Sequence, residues 1–136
     1  MIARVAVVCI ALMAIAWLAT GLHAANLEQH ANRVGAVTPG KPLSYAQVQR
    51  AARLYERARA FNPDTRPILL EANLLTFFRA GNVRALRLAR DVTRREPDNV
   101  NAWAIVAGMA ARLDPPLAAR ARRRIAAISP PVPPAR

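Results

Sequence analysis

Only a few side chains in this 136-residue chain have the types and spacing that chemistry requires. His23 and His30 lie on either side of Glu28, but their spacing matches no common zinc pattern. The single cysteine, Cys9, lies in an apolar segment, so it offers neither an exposed nucleophile nor an intrachain disulfide. The sequence has no glycine-rich phosphate loop and no Ser, His and acid set that one helical frame would bring together. We therefore expect no enzymatic activity, no metal site and no cofactor.

Four carboxylates in the second half of the chain stand among arginines at helical spacing: Glu56, Glu71, Asp91 and Glu96. Side chains three or four residues apart are neighbours on a helix surface and can form ion pairs there. We expect these carboxylates to form surface ion pairs.

The charge of the chain is strongly basic, with 20 Lys and Arg against 8 Asp and Glu and a formal net charge of +12. Many of the arginines fall into three groups at helical spacing: Arg50, Arg53 and Arg57; Arg84, Arg87, Arg90 and Arg94; and Arg120, Arg122, Arg123 and Arg124. These groups are either solvated surfaces or contacts for something anionic, such as phospholipid head groups, an acidic protein or an acidic polysaccharide. Nucleic acid is the less favoured partner, because few aromatic residues are available to stack on bases.

The amino-terminal segment is apolar over the length of a membrane span. No polar side chain other than Cys9 occurs from Val5 to Ala19, and Ile2 to Leu22 forms about 30 Å of helix, close to the thickness of a bilayer core. The alternative is a cleaved secretory signal peptide, for which Ala19-Thr20-Gly21 is the better cleavage site. We favour an uncleaved, single-pass anchor with the lipid bilayer as a partner.

Orientation follows from the flanking charge. Arg4 stands before the span and favours a cytoplasmic amino terminus, with the rest of the chain outside. With 19 arginines and one lysine, the composition is typical of a GC-rich genome. In a Gram-negative bacterium, this topology puts the anchor in the inner membrane and the later domain in the periplasm.

Three prolines divide the second half of the chain at nearly equal intervals. Pro63, Pro97 and Pro130 are 34 and 33 residues apart, and each follows a stretch with the pattern of an amphipathic helix. Periods of this length are typical of solenoids whose units are pairs of helices. The period therefore predicts a repeat array that binds other molecules.

The residues within this period resemble the tetratricopeptide repeat family. Trp103 and Val106 follow Pro97 at the family's large-aromatic and Leu sites. One period earlier the matching residues are Leu69, Ala72, Ala85 and Ala89, and one further back they are Ala51, Tyr55, Ala58 and Pro63. The resemblance covers residues 44–130 as one half repeat and two full repeats. It implies an all-α fold, in which a transmembrane helix precedes a short tetratricopeptide-like array of helical hairpins, an α-solenoid.

The sequence predicts five helices after the anchor, at 44–61, 66–80, 83–96, 99–113 and 115–128, and no strand. Ser44 and Gln47 form a capping box at the start of the first. Asn82 and Asp114 are expected to cap later helices. The predicted organisation is an anchor at 1–23, a juxtamembrane helix and linker at 24–43, the repeat domain at 44–130 and a Pro-rich tail at 131–136.

The first repeat lacks its leading helix, because Pro39, Gly40 and Pro42 interrupt the position where it would lie. Ala24 to Val37 has helix-compatible spacing, and it could fill the groove of the array or replace the missing helix. Replacement is the favoured reading. In that case the segment from Pro39 to Pro42 is a tight connection between two packed helices, not a flexible tether.

In tetratricopeptide arrays the first helix of each repeat lines a concave groove, so the resemblance implies a partner groove in this chain. Its expected lining is Leu70, Leu74, Phe77 and Phe78 in the second repeat and Asn101, Ala104, Gly108 and Arg112 in the third. Such an apolar surface suits an amphipathic helix, or these residues are simply core. The arginine groups then lie on the convex back.

The expected function is a membrane-anchored adaptor for protein–protein interaction. It would serve as an accessory subunit of a bacterial envelope complex for polysaccharide export, secretion or pilus assembly. The alternative is a secreted basic repeat protein that binds an anionic polymer.

Overall fold

The computed structural model describes residues 2–36 and 42–129, and over these residues the protein is all-α, as expected. The helices are α1 (Ile2–Val34), α2 (Tyr45–Phe61), α3 (Arg66–Leu75), α4 (Asn82–Arg95), α5 (Val100–Leu113) and α6 (Pro115–Ile128), with a short 3-10 turn at Arg79–Gly81 before α4. The predictions for Pro39 to Lys41, for Pro130 and for the tail 131–136 fall outside the described residues.

Polar side chains fix three of the helix starts. The hydroxyl of Ser44 accepts a hydrogen bond from the Gln47 amide at 3.2 Å, and the Gln47 side chain accepts one from the Ser44 amide at 2.9 Å. This reciprocal capping box confirms the prediction for α2. Asn99 caps α5 and Asp114 caps α6 in the same way, each accepting from an amide three residues later.

The third helix ends earlier than predicted. It stops at Leu75 instead of residue 80, because the amides of Phe77 and Phe78 turn to carbonyls three residues back, at 3.4 and 3.3 Å. Phe78 then adopts extended backbone angles, φ −131° and ψ 132°. Aromatic and β-branched residues are weak helix formers, which favours a stop at this point.

The start of α4 also differs from the prediction. Asn82 is the first residue of α4 and not its cap, and Gly81 takes the capping position without a side chain. A Cβ atom on Gly81 would lie 2.4 Å from the carbonyl oxygen of Leu75. The turn therefore needs glycine because of a close backbone approach.

Residues 24–34 of α1 form the first helix of the first hairpin. They run antiparallel to α2: the ring of His23 meets that of Phe61 at 5.3 Å, and the Tyr55 hydroxyl donates to Asn32 Oδ1 at 2.6 Å. Further along, a Cβ on Gly35 would lie 3.5 Å from Ala51 Cβ. The segment after the apolar run therefore forms a helical hairpin with α2, and Val37, the last residue of the predicted segment, lies outside the described residues.

The earlier part of α1 is exposed at every residue from Val5 to His23. Its large apolar side chains between Val5 and Leu22 are 56% to 76% exposed, and the hydroxyl of Thr20 bonds back to Trp17 O at 2.7 Å. This helix is long and apolar enough to cross a membrane, a criterion that a secretory signal also meets. The apolar part and the packed part belong to one continuous helix.

Two more hairpins, α3–α4 and α5–α6, stack on the first, with each helix packed against the next. One core joins the first two hairpins and includes the fully buried Val48, Ile68 and Val92. A second, smaller core around Val106 joins α4, α5 and α6. Much of both cores is alanine, which lets the helix backbones approach closely.

We expect Gly81→Ala to destabilise the domain by about 1–3 kcal/mol, because its Cβ would collide with the backbone of Leu75. Gly108→Ala is the matched control: nothing lies within 4 Å of a Cβ there, in the middle of α5. That substitution should stabilise by about 0.5–1 kcal/mol through helix propensity. Thermal unfolding followed by circular dichroism measures both, and equal effects of the two substitutions would contradict the turn geometry.

Candidate functional site

The predicted partner groove is mostly closed in the second hairpin. Leu74 is 7% exposed and its Cδ1 lies 3.1 Å from the Cβ position of Gly35, so it is part of the core against α1. Leu70 is partly buried against the same core. Phe78 is also partly buried and meets the ring of Tyr45 at 5.6 Å, whereas Phe77 remains 58% exposed.

Asn73 takes the outward position that sequence reasoning assigned to Leu74. It is exposed, three residues after Leu70 and four before Phe77, and so lies on their face of the helix. The spacing alone could have identified it, because the core residues Ile68, Ala72 and Leu75 fix the opposite face.

In the third hairpin the predicted groove residues are open to solvent. Asn101, Ala104, Gly108 and Arg112 are all exposed and share one face of α5, at spacings of three and four residues. Gly108 and Arg112 line a depression of about 430 Å³ between α5 and the turn before α4. The accessible part of the predicted groove is thus the α5 face together with Phe77.

Glu71 is not on the surface, which corrects the expectation of a surface ion pair. It is fully buried, and Arg84 Nη2 lies 2.5 Å from its Oε1. Arg84 also reaches Glu56 Oε2 at 3.4 Å, and it therefore joins the first hairpin to the second. The contact with Arg84 is the only charged contact of the Glu71 carboxylate among the described residues, and neither carboxylate oxygen has a well-directed hydrogen bond.

Burial raises the pKa of the Glu71 carboxyl above its ordinary value, although the charge of Arg84 opposes the shift. Loss of water around the Arg84 guanidinium lowers its pKa, but Glu71 and Glu56 outweigh this and the net pKa is raised. Glu96 shows the opposite behaviour to Glu71: hydrogen bonds from Thr65 and then Asn99 lower its pKa. Glu96 therefore bonds to polar neutral groups and not to an arginine, which is a second correction.

The remaining carboxylates also form ion pairs or hydrogen bonds within the chain. Glu28 pairs with Arg66 at 2.9 Å, and Asp98 with Arg124 at 2.7 Å. Asp91 holds Arg94 and Arg95, as expected for a surface pair, and Glu56 also holds Arg59. Asp64 and Asp114 accept hydrogen bonds from backbone amides at helix starts. All eight carboxylates of the chain thus have partners within it.

Many arginines have no such partner. Of the predicted anionic-contact residues, Arg84, Arg94 and Arg124 are in ion pairs. The arginines that form no ion pair with a described carboxylate are Arg33, Arg50, Arg53, Arg57, Arg79, Arg87, Arg90, Arg112, Arg120, Arg122 and Arg123. The excess positive charge therefore lies on side chains that are available to another molecule.

The largest concentration of this charge lies in a groove between α1 and α2, which we call the basic groove. It has a volume of about 510 Å³, and its lining is His30, Arg33, Val34, Gln47, Arg50, Arg53, Leu54 and Arg57. No carboxylate is among these residues. Sequence reasoning found the three arginines of α2 but missed His30 and Arg33, because their position depends on how α1 packs against α2.

Trp103, the strongest match to the repeat pattern, holds the junction of the second and third hairpins. Its indole Nε1 donates to Pro97 O at 2.7 Å, and Arg124 Nε lies 3.4 Å from the same oxygen. The rest of the ring packs against the second core. Pro97 and Trp103 are thereby in direct contact.

Comparison with protein-family models, curated proteins and solved structures finds no match. The assignment to tetratricopeptide-like repeats therefore depends on the residue pattern and remains a proposal.

Arg84→Gln should destabilise the domain by about 3 kcal/mol at pH 7, because it leaves the buried Glu71 carboxylate without its cation. The loss should shrink in acid. A carboxyl whose pKa is raised in the folded state binds its proton more tightly there, so stability falls as the pH rises above the ordinary value of 4.5. Removal of Arg84 raises that pKa further, and protonation at low pH then relieves the penalty.

The measurement is urea unfolding of the wild type and the variant at pH 4.5 and pH 7.5. Arg87→Gln is the matched control, since Arg87 is exposed on the same helix and unpaired, and it should change stability by less than about 0.5 kcal/mol. Carboxylates with other environments, such as Glu96, contribute equally to all three proteins and cancel in the differences. A pH-independent loss in Arg84→Gln would show that Glu71 is not charged in the folded protein.

Proposed function

We propose that the protein is a membrane-anchored adaptor that presents a short, tetratricopeptide-like array to partners in a bacterial envelope complex. The observation that carries this proposal is the continuity of α1, whose first part is exposed and apolar and whose last part is built into the array. An anchor of this kind holds the array against the bilayer without a flexible tether. Polysaccharide export, secretion and pilus assembly are systems in which such a subunit would serve.

In the anchored state, lipid surrounds the exposed apolar part of α1. A helix that is apolar on all sides is stable only when lipid or protein covers it. In the proposed topology Val5 to Leu22 crosses the inner membrane, and the hairpins stand in the periplasm. Arg4 before the span supports this orientation.

The adaptor role is supported by the surfaces that remain open on the stacked hairpins. The α5 face is formed by Asn101, Ala104, Gly108 and Arg112, and its small side chains permit close approach of a partner helix. The unpaired arginines supply a second means of recognition through charge. An acidic polymer bound by a secreted form is the competing function, and it requires that α1 be cleaved.

Photo-cross-linking in cells tests the adaptor role. A benzoylphenylalanine at Asn101 should give a discrete protein adduct in the salt-washed membrane fraction, because the α5 face is proposed to contact a partner. The same group at Ala126, which is exposed on α6, is the matched control and should give none or far less. Equal adducts at the two positions, or none at Asn101, would contradict the proposal.

Two further measurements test the placement of the protein in the membrane. The intact mass of the protein should include Met1 to Leu22, and alkaline phosphatase fused after Arg136 should be active. A mass that begins after Gly21 would favour the secreted polymer-binding protein. An inactive phosphatase fusion, with a fluorescent cytoplasmic fusion at the same point, would reverse the topology.

A further inference from the structure

The basic groove lies on the outer face of the first hairpin. Arg57 follows the buried Val48 by nine residues, which is two and a half helical turns, so the two side chains lie on opposite sides of α2. Among the described residues, those that line the groove belong to α1 and α2, and α3 packs on the buried side. It is therefore the end of the stack, where a solenoid would place another helix.

The charge in this groove is not balanced by any carboxylate of the described residues. Arg33, Arg50, Arg53 and Arg57 form no ion pair with a described carboxylate. Bringing guanidinium groups together without a counter-charge is unfavourable, and a bound anion removes that cost. The floor of the groove is different in kind, since Val34 and Leu54 are aliphatic and partly buried.

We propose that the basic groove binds an acidic, amphipathic helix of a partner protein, which lies along α2 as an additional helix of the stack. Arg50, Arg53 and Arg57 extend over about 10 Å, or two helical turns. Carboxylates at positions i, i+4 and i+7 of an antiparallel partner helix would face Arg57, Arg53 and Arg50, respectively. An apolar residue beside them would cover Val34 and Leu54. This inference rests on the proposed adaptor function and specifies the chemistry of one partner.

A second copy of this chain does not fit the groove. Every carboxylate of the chain is already held by an arginine, a polar side chain or a backbone amide, as described above. Another copy would bring mainly positive charge to a positive surface. The acidic helix must therefore come from a different protein.

The bilayer is also a poor occupant. The His23–Phe61 contact lies at the end of the apolar span, and α2 runs away from it toward its own start. Along that helix Arg57 is about 6 Å and Arg50 about 16 Å from Phe61. The head-group layer is only about 5–7 Å thick, so lipid could reach Arg57 but not Arg50. A uniformly charged polysaccharide, for its part, would leave the aliphatic floor uncovered.

The test uses the full-length protein in nanodiscs of phosphatidylcholine. The probe is a fluorescein-labelled helical peptide of 15 residues, on the order of four turns, with Glu at i, i+4 and i+7 and one Leu beside them. Replacing Arg50 and Arg53 together by Gln should weaken its binding by about tenfold at physiological salt. Replacing the exposed, unpaired Arg87 and Arg90 of α4 together by Gln removes the same charge and should weaken binding less than about twofold.

Other outcomes would overturn the proposal. Equal losses in the two double variants would mean that the peptide senses only the overall charge. A peptide with Ser in place of Leu that binds as well as the original would show that the aliphatic floor is not used. If the Arg50 and Arg53 variant lost binding to phosphatidylglycerol vesicles or to dextran sulfate but not to the peptide, the occupant would be lipid or polysaccharide.

The two proposals fail separately. If the peptide binds as expected but Asn101 yields no cross-linked protein, the α5 face is not the adaptor surface and the groove stands. If Asn101 is cross-linked but the peptide shows no dependence on Arg50 and Arg53, the adaptor role stands and the groove proposal is wrong. Circular dichroism melting of each variant checks that it folds, which exposed arginines should permit.

Discussion

The structure depends on one continuous helix, α1, whose first part is apolar and exposed and whose last part is packed in the protein. From Val5 to Leu22 every residue of α1 is exposed, and most are apolar, whereas from Ala24 to Val34 the helix is built into the first hairpin. Because the backbone hydrogen bonds of a helix continue through the boundary, the two parts cannot move independently as tethered domains do. In the proposed anchored state, this continuity fixes the array at the membrane surface. The ends of α2, α4 and α6 then lie on the bilayer side, since successive helices alternate in direction.

The stack is held by small residues and by one buried charge. Alanines at the helix contacts bury little surface each, so the large side chains Ile68, Leu75 and Val92 supply much of the apolar burial. Glu71 adds a polar link, because its carboxylate can be accommodated only with Arg84 beside it. That arginine sits on α4 and also contacts Glu56 on α2. These ion pairs therefore link the first hairpin to the second. Because Arg84 is occupied by them, it is not available to bind a partner.

Local and periodic features of the fold could be predicted from the sequence. Ser44 and Asp114 act through neighbours in the chain, and the helical periods that place Val48 and Ala51 inward need no tertiary information. The stop at Leu75 was missed because the apolar pattern continues through Phe77 and Phe78, whereas their amides bond to carbonyls three residues back. Glu71 was assigned to the surface because it stands among arginines in the sequence, but the presence of nearby arginines does not show whether a carboxylate is buried.

The candidate site was less predictable than the fold. Leu74 was expected to line a groove, but Gly35 brings α1 close enough to cover it. The basic groove was only partly predicted. Arg50, Arg53 and Arg57 were identified from their spacing, whereas His30 and Arg33 join them only through the packing of α1. Residues contributed by one helix can be read from its period. Sites between helices require their register, which here was set by contacts such as Asn32 with Tyr55.

The continuity of α1 with the array is tested most directly by a disulfide across the first hairpin, formed in salt-washed membranes. Gly35→Cys and Ala51→Cys, introduced together with Cys9→Ser, place two thiols on Cβ atoms about 3.5 Å apart, within the range of disulfide geometry. Mild oxidation should join them, so that a maleimide reagent labels neither cysteine and mass spectrometry finds the linked peptides. Two freely labelled thiols in protein that remains membrane-bound would contradict it, because the segment after the anchor would then not be part of the array.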